Sequence, residues 1–281
     1  MTDGFINVNK PAGLTSHDVI NRVRKIFSTR KVGHAGTLDP AASGVLPVAV
    51  NRATKFIEYL ADREKSYRAE ILFGTATDSG DLDGEIISRV ENFDMPTVDE
   101  FTAATKFFVG EIEQTPPKFS AIKIHGRKAY DLARKNFDFE MPTRRVKIFR
   151  LELVKLEKNS ATIEVDCAAG TYIRSLAVDL GARLNLPATL KKLIRLRVGD
   201  FDLKNSVTLD EIDATCLVPI ESCLKHLPTF NLPVHRVRAF LNGLPTTVHT
   251  ADEKFLRVMA DEKFLGVGKI SGGELKSTKI L

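Results

Sequence analysis

The chain has 281 residues, 43% hydrophobic and 27% charged, with 41 Lys and Arg against 36 Asp and Glu and an isoelectric point near 9.0. That balance fits a globular fold with a sizeable core, either one large domain or a large one followed by a small one. Cys167, Cys216 and Cys223 are odd in number and form no CxxC pair, which excludes a disulfide framework and a structural zinc site. No apolar run approaches the roughly 20 residues that span a bilayer. The opening MTDGFINVNKPAG lacks the parts of a signal peptide, so a reducing cytosol is the expected location, with no membrane.

Phe5 to Val8 reads as a short strand ended by the turn at Pro11-Ala12-Gly13. Thr15 and Asp18 have capping-box spacing, and Val19, Ile20, Val23, Ile26 and Phe27 follow with helical period. A glycine-rich stretch, KVGHAGTLDPAASG, precedes an apolar strand at Val45 to Val50. Residues 53 to 60 predict a helix, and the alternation of Tyr67, Ala69, Ile71 and Phe73 predicts a strand with one face inward. Thr97 and Glu100 form a second capping box. Residues 114 to 145 are basic and dotted with aromatics, and read as an excursion from the core. Strands resume at 146–153 and 161–167, a helix carries Ile173, Leu176, Leu180 and Leu184 on one face, and 190–198 is a further strand. The prolines of HLPTFNLP, residues 226 to 233, predict a linker, and FLRVMA and FLGVGKI beyond it predict a small β module. The class is mixed α and β without strict βαβ alternation.

Charge is segregated. Basic residues gather at Arg22, Arg24, Lys25, Arg30 and Lys31, from Lys118 to Lys147, and at Lys191, Lys192, Arg195 and Arg197. Acidic residues gather elsewhere, at Asp78, Asp81, Asp83 and Glu85. Such segregation fits a phosphate-binding face; separate solvated helix faces are the other reading. Walker-type, HExxH and GxSxG motifs are absent, which removes nucleotide-triphosphate hydrolysis, zinc hydrolysis and a serine nucleophile elbow. What remains is Asp39 in the glycine-rich loop, Tyr67 in KSYR, and Tyr172 and Arg174 in GTYIR. Asp39 before Pro40 can be a helix N-cap with proline at the first helical position, or it can be chemistry. The tyrosines are core aromatics or rings that stack on a base. Arg174 is a surface residue at a helix start, or the partner that keeps a buried Asp39 ionised. His34 is a capping or core histidine by default.

GHAGTLDPAASGVLPV resembles the catalytic-aspartate motif of the TruB family, the tRNA pseudouridine-55 synthases. NKPAGLTS, ATKF, KSYRAEILFGTATDSGDLDGEI, QTPPKFSAIK, CAAGTYIRSLAVDLG and LIRLRVGDF are similar to that family's other blocks and stand in the same order, covering nearly all of residues 5 to 210. The resemblance implies an α+β fold, with a central mixed, mostly antiparallel sheet flanked by helices and a small C-terminal β (PUA-like) domain. It implies residues 1–227 as the catalytic domain, with a thumb-like insertion at about 114–145, and residues 228–281 as a short PUA-like RNA-binding domain. It implies the isomerisation of uridine to pseudouridine in the tRNA TΨC stem-loop, with no cofactor, no metal and no obligate protein partner. Asp39 falls on the essential aspartate, Tyr67 on the base-stacking tyrosine, and Arg174 on the partner of Asp39. Tyr172 lies in the same block as Arg174, His34 resembles the histidine that supports the flipped base's vacated place, and Leu193 matches a uracil-pocket residue. Lys10 and Lys55 look like structural or phosphate-side residues. A guide-RNA-dependent synthase and a noncatalytic RNA-folding protein are the rival readings; the absence of terminal extensions favours the stand-alone enzyme.

Overall fold

The computed structural model describes residues 2–135 and 137–281. Strand β1 (Gly4–Lys10) leads into helix α1 (Ser16–Ile26), whose capping box forms: the Asp18 N–H donates to Thr15 Oγ1, and the Thr15 N–H donates to the Asp18 carboxylate. Then come β2 (Val32–His34), β3 (Ser43–Val50), a 3-10 turn at Asn51–Phe56 and the short α2 (Glu58–Ala61). β4 (Lys65–Phe73) buries Tyr67, Ala69, Ile71 and Phe73 at alternate positions, as its period requires. A ribbon of β5 (Thr75–Thr77) and β6 (Ile86–Arg89) follows, then α3 (Val98–Lys106) and β7 (Gly110–Gln114).

The chain leaves the sheet there. The excursion holds a small hairpin of β8 (Lys123–Ile124) and β9 (Arg127–Lys128) and the helix α4 (Ala129–Ala133). It returns as β10 (Arg144–Leu156), followed by β11 (Ser160–Cys167), α5 (Ile173–Arg183), β12 (Ala188–Val198), β13 (Phe201–Asp202) and α6 (Ile220–Cys223). The remaining elements are β14 (Thr229–Asn231), α7 (Val237–Leu241), β15 (Thr246–Thr247), β16 (Glu253–Ala260), β17 (Lys263–Ser271) and β18 (Glu274–Ile280).

The main sheet has nine strands in the order β1-β3-β12-β4-β11-β10-β7, with β2 added on β3 and β13 on β12. All its pairings are antiparallel except β3 with β12. This is the mixed, mostly antiparallel sheet that the family resemblance implies. Two helix layers cover it. α3 and α5 place Phe101, Leu176 and Leu180 on Ile71, Phe73, Ile148 and Ile163. α1 places Val19, Ile20 and Val23 on Ile6, Val8, Leu46 and Val48.

A second sheet, β14-β16-β17-β18-β15, packs against the first unit through Phe264 on Phe56 at 5.8 Å and Phe255 on Tyr59 at 5.1 Å between ring centroids. Lys55 ties the two together by donating from Nζ to Ile280 O at 2.9 Å. The expectation of a linker at HLPTFNLP is corrected here. Its middle residues form β14, parallel to β16, because Pro228 and Pro233 flank the strand and leave its N–H groups free to pair.

The parallel junction of β3 and β12 brings the two halves of the main sheet together, with Arg195 opposite Gly44. Gly44 has φ +104°, and a Cβ there would lie 2.2 Å from Arg195 O. Both constraints demand glycine. Gly44→Ala is expected to destabilise the protein by about 3 kcal/mol through the strained φ and the backbone clash. The midpoint of urea unfolding measures it, and a change under about 0.5 kcal/mol, within the range of ordinary surface substitutions, would contradict this account of the junction.

Candidate active site

The loop from Gly36 to Ala42 connects β2 to β3 and passes directly over that junction. No helix starts at Pro40. The Ala42 N–H donates to Asp39 O at 3.1 Å, and the chain turns straight into β3, which begins too soon for a helical turn to fit. The N-cap reading of Asp39 is therefore corrected to a tight turn.

Five successive carbonyls of this loop are held, four of them from outside it. Arg195 donates to Gly36 O at 3.0 Å and to Thr37 O at 3.3 Å. Ser16, in the first turn of α1, donates to Leu38 O and accepts from the Leu38 N–H. Asp39 O takes the Ala42 N–H, and Pro40 O takes the Gly13 N–H at 2.8 Å and the Lys10 ammonium at 3.2 Å. Lys10 is fully buried and also donates to Pro11 O and Leu14 O, so it is a structural residue with no face to a phosphate. Burial pushes its ammonium down to about 8. An aspartate on a loop fixed at five successive carbonyls is rigidly placed.

Asp39 borders a cleft of about 320 Å³, walled by residues 36–39, by Lys65 and Tyr67 of β4, by Ser120 and Ala121, by the segment 170–174 and by Leu193 and Arg195 of β12. The side chain of Asp39 is 43% exposed, while that of Arg174 is 6% exposed. Arg174 Nε lies 3.1 Å from Asp39 Oδ2, and Arg174 Nη1 lies 3.4 Å from Asp81 Oδ2. The remaining donors go to Ser79 O at 3.2 Å and Phe119 O at 3.0 Å. Arg174 is thus a buried ion between two carboxylates and is not a surface residue. Burial raises the Asp39 carboxyl above the usual carboxylate range, Arg174 opposes this, and Asp81 adds to it.

Asp81 belongs to the acidic stretch that the sequence placed apart from the basic clusters. The β5–β6 connection folds it back: Thr77 Oγ1 donates to Asp81 O at 2.6 Å, the Asp83 N–H donates to Asp81 Oδ1 at 3.1 Å, and the Leu190 N–H donates to Gly80 O at 2.9 Å. Arg195 is a further correction. Grouped with surface lysines in the sequence, it is 1% exposed and sits beneath the cleft. The Tyr67 hydroxyl lies close enough to feel its charge.

The structure brings Asp39, Arg174, Tyr67, Tyr172 and Leu193 to one cleft. Tyr67 is only 7% exposed, so its ring is mostly core, and burial raises its hydroxyl pKa against the pull of Arg195. Tyr172 is the N-cap of α5. Gln114, 1% exposed, clamps it with a bond from the Tyr172 N–H to Oε1 at 2.7 Å and from Nε2 to Tyr172 O at 3.0 Å. Arg144 lies over the Tyr172 ring at 5.3 Å. His34, on β2, lies outside the residues walling this cleft; its Nδ1 is buried without a hydrogen-bond partner among the described residues, and burial lowers its pKa. Among the described residues no cluster of three or more His, Cys, Asp or Glu is placed to hold a metal.

Residues 24–173 match the model of the family described as TruB family pseudouridylate synthase (N terminal domain). A tRNA pseudouridine synthase B of Bacillus pumilus is 45% identical, over 92% of this chain and 90% of that one. The enzyme of the same name from Clostridium kluyveri is 37% identical over 99% of both. Among solved structures, a chain of a Cbf5-Nop10-Gar1 complex superposes with a TM-score of 0.76 at 27% identity, covering 99% of this chain and 84% of that one. A chain of an H/ACA RNP bound to a substrate RNA containing 2′-deoxyuridine gives 0.75 at 25% identity, covering 99% and 85%. The chain belongs to the TruB family of pseudouridylate synthases.

Proposed function

We infer that the protein isomerises uridine to pseudouridine at position 55, in the TΨC loop of tRNA, and acts alone. The observation that carries the reading is one carboxylate, Asp39, rigidly held at a cleft beside the buried Arg174, in a chain that matches tRNA pseudouridine synthases along almost its whole length. The reaction breaks the C1′–N1 bond, turns the uracil and joins C1′ to C5. It is redox-neutral, so the chain's own groups can supply the chemistry. Asp39 acts on the flipped nucleotide as nucleophile or as the base that helps detach the ring. Arg174 keeps it ionised, Tyr67 and Leu193 border the uracil, and Tyr172 shapes the wall opposite. His34 supports the place the base leaves.

Residues 1–227 are assigned as the catalytic domain and 228–281 as a short PUA-like RNA-binding unit. The insertion at 114–145 is assigned as a thumb over the stem-loop. Its exposed Lys123, Arg127, Lys128, Arg134 and Lys135, with Lys25, Arg30 and Lys31 beside α1, present cations to the RNA backbone. Extruding a base costs a few kcal/mol, which this grip offsets. The three cysteines are free thiols, in keeping with a reducing cytoplasm.

The test is purified protein with an unmodified tRNA transcript and no other component, with pseudouridine mapped along the TΨC arm. Modification at position 55 is the expected result, and an isolated TΨC stem-loop is expected to serve nearly as well. Affinity should fall about 10³-fold between 50 mM and 200 mM salt. Activity that requires a guide RNA or added proteins, or binding indifferent to salt, would refute the reading.

A further inference from the structure

Two cations under the cleft have no counterpart in the chemistry assigned so far. Lys65 is 7% exposed and Arg195 is 1% exposed, and both wall the Asp39 cleft. Lys65 Nζ donates to Ala61 O at 2.8 Å and to Arg63 O at 3.0 Å. An ammonium has three N–H groups, so one is uncommitted among the described residues. Arg195 donates only to neutral groups, Val45 O at 2.7 Å, Gly36 O and Thr37 O. Among the described residues neither cation has a carboxylate within 4.0 Å, in contrast to Arg174, which has two. A buried cation without an anion is costly to hold, and two close enough to repel each other are more so. The arrangement lacks a negative charge, and the cleft is where one can arrive.

We propose that Lys65 and Arg195 form a positively charged floor that stabilises the negative charge passing to the uracil when its glycosidic bond breaks. This rests on the assigned reaction. As the C1′–N1 bond breaks, its electron pair leaves with the uracil and spreads over N1, O2 and O4. The sugar carbon is left electron-deficient, whether Asp39 then bonds to it or removes a proton beside it. Later C5 bonds C1′, C5 releases its proton, and N1 takes one up. The anionic ring exists only between these steps, so a fixed positive floor favours the transition state over the neutral bound uridine. Arg195 acts on the ring through its charge, from the cleft wall it shares with Tyr67. It is a positioning residue, since it also holds the Asp39 loop.

The charge of the floor depends on pH through Lys65, whose ammonium burial and Arg195 push down to about 8. The groups facing it are Arg195 on β12, Cys167 on β11, Asp62 after α2 and Tyr67 on β4 itself. The Cys167 thiol is pushed up to about 11, so it stays neutral through this range.

The experiment is single-turnover conversion of a TΨC stem-loop by saturating wild type, Lys65→Met, Lys65→Arg and Arg195→Lys, from neutral to alkaline pH, with folding checked by thermal melting. A second stem-loop carries 5-fluorouridine at the target, whose ring bears negative charge more easily; its C5 holds fluorine and has no proton to release, so loss of the starting nucleoside is followed on it in place of pseudouridine. Wild type is expected to lose rate above pH about 8 as Lys65 deprotonates. Lys65→Arg should stay level there, and Lys65→Met should be slower at neutral pH by on the order of 10²-fold with an unchanged dissociation constant. That deficit should shrink roughly tenfold on 5-fluorouridine, because a better leaving group needs less stabilisation. If Lys65→Met does not fold, the loss of the alkaline limb in Lys65→Arg decides the matter. An alkaline limb that persists in Lys65→Arg overturns the proposal. So does a Lys65→Met effect confined to the dissociation constant, which would make the floor a phosphate grip. Wild type that makes no pseudouridine would refute the assigned reaction instead, and the floor with it.

Discussion

Asp39→Asn should leave a folded protein that binds tRNA and makes no measurable pseudouridine. The change keeps the size of the side chain and its tendency to occupy a turn, and it removes only the charge. The backbone of the loop is held by Arg195, Ser16, Lys10 and Gly13, none of which bonds the Asp39 carboxylate. Breaking a buried ion pair usually strands the other ion. Here Arg174 keeps Asp81, Ser79 O and Phe119 O, so it is not stranded. The stability loss should therefore be about 1 kcal/mol, read as a small shift in melting temperature. The rate should fall by at least about 10⁴-fold, the scale at which a lost nucleophile or base leaves only binding effects. Single-turnover assays with saturating enzyme measure it, and residual turnover above about a hundredth of wild type would remove Asp39 from the chemistry. In wild type the acid limb of the rate should lie above the range of an ordinary carboxylate. Burial favours the protonated form of Asp39 more than Arg174 disfavours it, and only the ionised form reacts.

Much of this arrangement was legible in the chain. Both capping boxes, the inward alternation of β4 and the apolar face of α5 follow from local rules that no tertiary contact overrides. The Asp39, Tyr67 and Arg174 motifs were legible as a set only through their family resemblance. Arg195 was hidden for a physical reason. β12 has register shifts between Leu190 and Lys192 and again between Arg195 and Arg197. One extra residue turns every later side chain to the opposite face, so simple alternation from Leu190 sends Arg195 to solvent while the folded strand sends it inward. Asp81 was hidden by distance: it lies 42 positions from Asp39, and only the fold-back of the β5–β6 connection onto Leu190 places it against Arg174. Lys65 carried no role in the sequence reading, because periodicity gives no sign that its ammonium turns back on Ala61 and Arg63 beneath the cleft.

Arg174→Lys should cost far more than a conservative exchange of cations. The sequence suggested a partner for Asp39 alone, but the guanidinium divides its donors. Nε faces Asp39, Nη1 faces Asp81 and Ser79 O, and Nη2 reaches Phe119 O. A lysine ammonium is one point charge on a stem without the fork, and it cannot occupy three directions at once. If it sits by Asp81, Asp39 loses its counter-ion; if it sits by Asp39, the Asp81 carboxylate, 18% exposed, is left unpaired. The Phe119 carbonyl loses its donor either way, and with it the tie between α5 and the insertion that begins after β7. The expected outcome is a stability loss of about 3 kcal/mol and a rate lower by on the order of 10²-fold at neutral pH. The pH profile separates the two possible positions of the ammonium. An ammonium held by Asp81 leaves Asp39 to desolvation and Asp81 repulsion, so its carboxyl rises further, the acid limb moves to higher pH, and rate is partly recovered in alkali. An ammonium held by Asp39 keeps the limb where it is and lowers the rate at every pH. Asp81→Asn in the Arg174→Lys background distinguishes them again, since it removes the competitor and should restore the wild-type position of the limb only in the first case. Full activity with an unshifted profile in Arg174→Lys would mean that the division of this guanidinium between two carboxylates has no part in the reaction.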